Sequence, residues 1–276
     1  MVSTSSIIAI CVTLFITLIG PLIVYAIYGL KNKGEGVWLA WLLGAAGFFV
    51  MQIVIRMPIL SVLSLIPGFQ TFAIENFLIY SLVLAFTAAL FEVIGRFVVA
   101  KILSKSLTYK KSFAAGLGHG SIEAVFVVGM TYVNNLLYAV MINTGAFDGI
   151  VEQTAAMGVD TTSLLAIKDS LINTGAGMFY LAAYERFLTV ICHIAMTMIV
   201  CYFVSRKEDM KGILICLLCH WALDFIAPVI NAMATEYMGN VLPQTVAYVI
   251  VYIFLTAAAI ASVVVIKNLK GKMTAV

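Results

Sequence analysis

Seven stretches of about 20 apolar residues, each enough to cross roughly 30 Å of hydrocarbon, follow one another along this chain with short polar joints between them. They predict seven transmembrane helices with cores at 6–28, 37–60, 76–101, 113–141, 178–204, 213–235 and 244–266. Composition closes off the alternative of an ordinary soluble domain. Only 11% of the 276 residues are charged and 63% are hydrophobic, whereas roughly 25% charged is usual for a soluble chain. The expected fold is all-α, a single seven-helix transmembrane domain over 1–276 in contact with the lipid bilayer.

Orientation follows from where the basic residues stand. Lys31 and Lys33, Lys101 to Lys111, Arg206 to Lys211, and Lys267 to Lys272 fall in alternate joints, and the positive-inside rule makes those joints cytoplasmic. The N-terminus is then expected outside and the C-terminus in the cytoplasm. The long joint 143–177 becomes an extracytoplasmic loop, in which DTTSLLAIKDSLIN reads as an amphipathic piece starting at an Asp-Thr cap. The start, MVSTSSIIAI, has no positive n-region and is expected to be a first span, not a cleaved signal. All five cysteines lie in apolar runs, where a small hydrophobe needs no further explanation, and no disulfide framework is implied.

Against this background the ionisable residues inside the spans are informative, because an intramembrane charge is costly unless it meets a partner or a water-filled cavity. Every histidine of the chain is intramembrane. His119 and Glu123 stand one turn apart in GLGHGSIEA, His193 lies in VICHIA, and His220 and Asp224 are again four residues apart in HWALD. Counted inward from the basic ends at 1.5 Å per residue, these five residues on three spans fall within about one and a half turns of depth, so they can converge. Two or three imidazoles with a carboxylate form the ligand set of catalytic zinc, and a carboxylate beside the bound water is the usual general base. The remaining charges read as packing. Glu92 and Arg96 form an i,i+4 pair in the third span, Glu185 is expected to be neutralised by Arg186 or Arg56, and Gln52 and Arg56 sit in a second span that Pro58 and Pro67-Gly68 should terminate. Gly116 and Gly120 would let another helix approach closely. They do not make a phosphate loop, which needs a strand before it and a helix N-terminus at it. CLLCH, 216 to 220, matches a haem-attachment pattern but lies inside an apolar span where covalent attachment is not accessible.

Through GHGSIEA, the Glu-Arg before the fifth-span histidine, and HWALD, nearly the whole chain resembles the YhfC-like membrane peptidases. That family is similar in turn to the CAAX prenyl proteases, bacteriocin-processing proteases, PrsW-like proteases and the scaffold subunit of gamma-secretase. The resemblance implies an intramembrane peptidase in which Glu123 takes the catalytic Glu position, His193 the second, and His220 with Asp224 the third. The group's E-E-x-x-x-R is E-A in the fourth span here, while an E-x-x-x-R occurs at Glu92 and Arg96, so both carboxylates stand as first-motif candidates. The expected cofactor is a divalent metal, zinc by ligand type, on His119, His193 and His220. The expected partner is a membrane protein or peptide substrate, with no nucleic acid, and the expected location is a bacterial plasma membrane. A transporter or proton pathway would bury the same residues without bond cleavage, and a silent scaffold would keep the helices without needing the carboxylates.

Overall fold

The computed structural model describes residues 1–273, with the side chain of residue 237 left aside, and the described residues form helices and joints without a strand. Among the described residues, seven helices are long and apolar enough to cross a membrane: Thr4–Lys31, Val37–Leu63, Phe77–Ser106, Tyr109–Thr144, Ala176–Ser205, Asp209–Ala232 and Gln244–Met273. They are called the first to seventh spans below. Large apolar side chains such as Val54, Val62, Ile253 and Ile260 stay exposed along them, as expected where lipid supplies the solvent.

The second span corrects one expectation. Pro58 does not end it, because the helix continues through Met57–Leu63 before stopping ahead of Pro67 and Gly68. Proline lacks an amide hydrogen and its ring crowds the carbonyl four residues back. Here Phe49–Arg56 is wound as a π-helix, with the Met57 amide reaching the Gln52 carbonyl five residues back, and this wider turn precedes the proline. Gly68, at φ +80°, then opens a short helix, Phe69–Glu75.

The chain divides into two compact units. The first comprises Met1–Ile23 and Glu123–Phe187. Its core gathers Ala9, Ile10, Tyr132, Ala139, Phe147, Leu171 and Phe179. Asn143 ties down the chain start by donating to the Val2 carbonyl at 2.9 Å and accepting from its amide at 2.7 Å. Thr13 donates to the Phe179 carbonyl at 2.8 Å. The long joint carries two helices, Ala146–Ala156 and Thr162–Asn173, bridged by Lys168 and Asp148. The second helix begins where the sequence expects it. Asp160 accepts from the Thr162 amide at 3.0 Å and from its hydroxyl, and these two bonds hold the Asp160 carboxyl below its ordinary range.

The second unit comprises Val24–Ile122 and Leu188–Val276. The fifth span is its axis. Every residue from Cys192 to Met198 is buried, so the helix is enclosed on all sides and reads as apolar all round except for His193 and Thr197. Around it the helices meet through glycines. A Cβ placed on Gly44 would stand 1.9 Å from the Ala115 carbonyl oxygen, one on Gly95 2.7 Å from the Gly47 oxygen, and one on Gly116 2.7 Å from the Ile194 Cα. Close backbone approach of this kind is how apolar helices pack when lipid offers no hydrophobic driving force between them. The third span packs along the sixth and against the second, and Trp221 ties the third to the sixth by donating to the Leu82 carbonyl at 3.1 Å.

Candidate metal and catalytic site

The glycines of the fourth span place its histidine. Gly118 faces the second span, where a Cβ would come 2.1 Å from the Trp41 carbonyl oxygen, and Gly120 faces the fifth, where it would come 3.1 Å from the His193 Cβ. Between them, His119 is wedged into the interior at 1% exposure, its ring 5.5 Å from that of His193 and edge-on to Phe48. The His193 ring stands in turn 5.3 Å from that of His220. All three histidines therefore meet, although they come from three spans.

Their common partner is Glu92. His119 Nε2 lies 2.9 Å from Glu92 Oε2, His220 Nε2 3.6 Å and His193 Nδ1 3.7 Å. The other oxygen, Oε1, accepts from Gln52 Nε2 at 2.8 Å. The ion pair expected on the third span is present, Arg96 Nη2 donating to Glu92 Oε2 at 3.0 Å, yet it is not a packing feature apart from the histidines. Arg96 also reaches His193 Nδ1 at 2.6 Å through Nη2 and His220 Nδ1 at 3.2 Å through Nη1. A guanidinium only donates, so both Nδ1 atoms accept. Each ring then carries its proton on Nε2, and His220 Nε2 points it toward Asp224 Oδ2 at 3.3 Å. His119 Nδ1 is buried with no hydrogen-bond partner.

Gln52 is the support that sequence reasoning passed over. Its amide donates to Glu92 and to the Ala88 carbonyl, while its oxygen accepts from Arg56 Nη1 at 3.1 Å. Only this orientation lets a carboxylate and a guanidinium share one amide. Arg56 is anchored further by the Leu84 carbonyl at 2.8 Å and the Thr87 hydroxyl at 3.3 Å, so it serves the site from behind and not Glu185. The available signal was periodicity. Gln52 and Arg56, Glu92 and Arg96, and His220 and Asp224 are all i,i+4 pairs of polar residues inside apolar spans.

Glu123 ends the helix that starts at Tyr109, immediately before the π-helical turn Ala124–Gly129. In the first unit its Oε1 accepts from Arg186 Nη1 at 3.2 Å, and Arg186 Nη2 pairs with Glu185 at 2.5 Å. Arg186 thus neutralises Glu185, one of the two partners expected for it. Cys216 is buried and Cys219 exposed, and both are free thiols.

The residues fit a divalent cation in chemistry and spacing. Glu92, His119 and His193 each offer a ligand atom within 4.8 Å of the others, the set is buried, and a histidine lone pair at His119 Nδ1 lacks a partner. A His/Glu cluster of this kind could gather an ion.

The model of the YhfC intramembrane metalloprotease family matches residues 13–250. A relative from Bacillus subtilis (strain 168), described as the uncharacterized membrane protein YhfC, is 25% identical over 181 residues, covering 65% of this chain and 69% of its own length. No solved structure matches the chain.

Proposed function

The chain belongs to the YhfC intramembrane metalloprotease family, and from that premise we propose that it hydrolyses a peptide bond of a membrane-embedded or membrane-adjacent substrate, in a bacterial plasma membrane, at the cluster around Glu92. The observation that carries the proposal is the convergence of three histidine nitrogens within 3.7 Å of one buried carboxylate oxygen. Such a cluster costs several kcal/mol to bury. A packing role would need one hydrogen bond per helix pair, not three rings on a single acceptor.

In this reading His119 and His193, whose ligand atoms lie within 4.8 Å of each other and of Glu92, would hold a divalent ion with His220 as a third nitrogen, zinc by ligand type. When bound, the ion supplies a Lewis acid and makes its water more acidic. Glu92 Oε2 takes the water proton and returns it to the leaving amine, because it is the carboxylate oxygen nearest all three rings. Gln52, braced by Arg56, fixes the other carboxylate oxygen so that Oε2 keeps its aim. The Arg96 guanidinium, within reach of the same group, is the donor available to the developing oxyanion. Asp224 steadies His220 through Nε2. Glu123, held by Arg186, supports the fourth span beyond His119 in this account.

The test is cleavage of single-span membrane substrates by the protein reconstituted in vesicles, with Glu92→Gln and Glu123→Gln compared at equal folded content. Glu92→Gln is expected to abolish fragments, and Glu123→Gln to retain them. Wild-type cleavage by folded Glu92→Gln sinks the assignment.

A further inference from the structure

The position that a cation would take in this cluster already holds one. Arg96 Nη2 stands 2.6 Å from His193 Nδ1 and 3.0 Å from Glu92 Oε2, while Nη1 stands 3.2 Å from His220 Nδ1. Three potential ligand atoms from the third, fifth and sixth spans are thus aimed at the same guanidinium. The lone pairs that it occupies are those an incoming ion would need, since a nitrogen accepting a hydrogen bond cannot coordinate at the same time.

Charge leads to the same result. Within the second unit the charged groups of this layer are Glu92 and Asp224, negative, and Arg96 and Arg56, positive, with His193 and His220 neutral because their Nδ1 atoms accept. These four charges balance. Arg96 is 1% exposed and Glu92 4%, so little water screens an added charge. A divalent ion entering with Arg96 in place would leave two uncompensated charges at that depth.

We propose that the Arg96 guanidinium and a divalent ion compete for one position, so that Arg96 must withdraw from His193 and His220 before metal binds, and that Arg96 thereby sets the metal affinity of the site. The described structure is the arginine-in state. The inference rests on the metal part of the function proposed above and not on cleavage, so it is tested by binding alone.

Full-length protein in nanodiscs is titrated with Zn²⁺ against a chromophoric chelator, and with Co²⁺ followed by its visible absorption. Wild type is expected to bind weakly and to lose all metal on dialysis against EDTA. Removing the competing charge in Arg96→Met should tighten Zn²⁺ by about a hundredfold. Arg96→Lys, which keeps the charge, should stay near wild type, and this split is one that a merely structural role would not produce. Adding His193→Ala to Arg96→Met should abolish the gain. Arg96→Gln stands in if Arg96→Met does not fold. One equivalent of metal retained by wild type through EDTA dialysis overturns the proposal, as does a folded Arg96→Met or Arg96→Gln that binds no tighter than wild type. Absence of cleavage alongside the expected affinity shift would sink the peptidase reading and leave this one standing.

Discussion

Replacing Gly44 by alanine tests whether close packing of the second and fourth spans positions His119. The added Cβ would lie 1.9 Å from the Ala115 carbonyl oxygen and 2.8 Å from its Cα, all backbone atoms that no side-chain rotation can move. Ordinary contact begins near 3.4 Å, so the two helices must part by about 1.5 Å. Overpacking of this sort costs about 1–3 kcal/mol. The displacement also carries Gly118 and His119, one turn further along the same helix, away from Glu92. A misplacement of about 1 Å can cost about a hundredfold in rate. Thermal unfolding in detergent reads the first effect, and cleavage at a temperature where the variant is folded reads the second. Gly149→Ala, where the Cβ meets nothing within 4 Å, is the control for a helical glycine without a neighbour. A Gly44→Ala protein that melts and cleaves like wild type would refute the packing argument.

Two further outcomes follow from the same geometry. Gln52→Leu strips Glu92 Oε1 and Arg56 Nη1 of their shared partner and should cost about 1–3 kcal/mol, while Val54→Leu on the exposed face should be neutral, both read by thermal unfolding; equal melting of the two would remove Gln52 from the support of the site. Reporter fusions after Lys111 and Arg206 should read cytoplasmic and a fusion within 157–160 external, from the distribution of basic residues, and the reverse pattern would overturn the orientation.

Sequence alone determined the number of spans and the residues worth watching, because both depend on the local cost of placing a group in hydrocarbon. A run of about 20 apolar residues announces its span whatever surrounds it, and His119, His193 and His220 declare themselves by lying inside such runs. The joint helix starting after Asp160 was legible for a similar local reason, its cap being encoded two residues before it. Tertiary structure decided which carboxylate the histidines share. Glu92 and Arg96 satisfy the local pattern of an ordinary i,i+4 ion pair, and nothing in their own helix distinguishes that from a site. Their contact with the histidines appears only when Gly44, Gly47, Gly95, Gly116 and Gly120 let backbones close to contact distance and Glu92 and Arg96 come to face the fifth and sixth spans. Gln52 was hidden for the same reason, since an amide becomes a bridge only once a guanidinium and a carboxylate stand on either side of it. Pro58 failed as a stop signal because the helix is wound as a π-turn just before it, and a wider turn leaves room for the ring. Depth along a helix is written in the chain, but the direction each helix face takes is fixed by its neighbours.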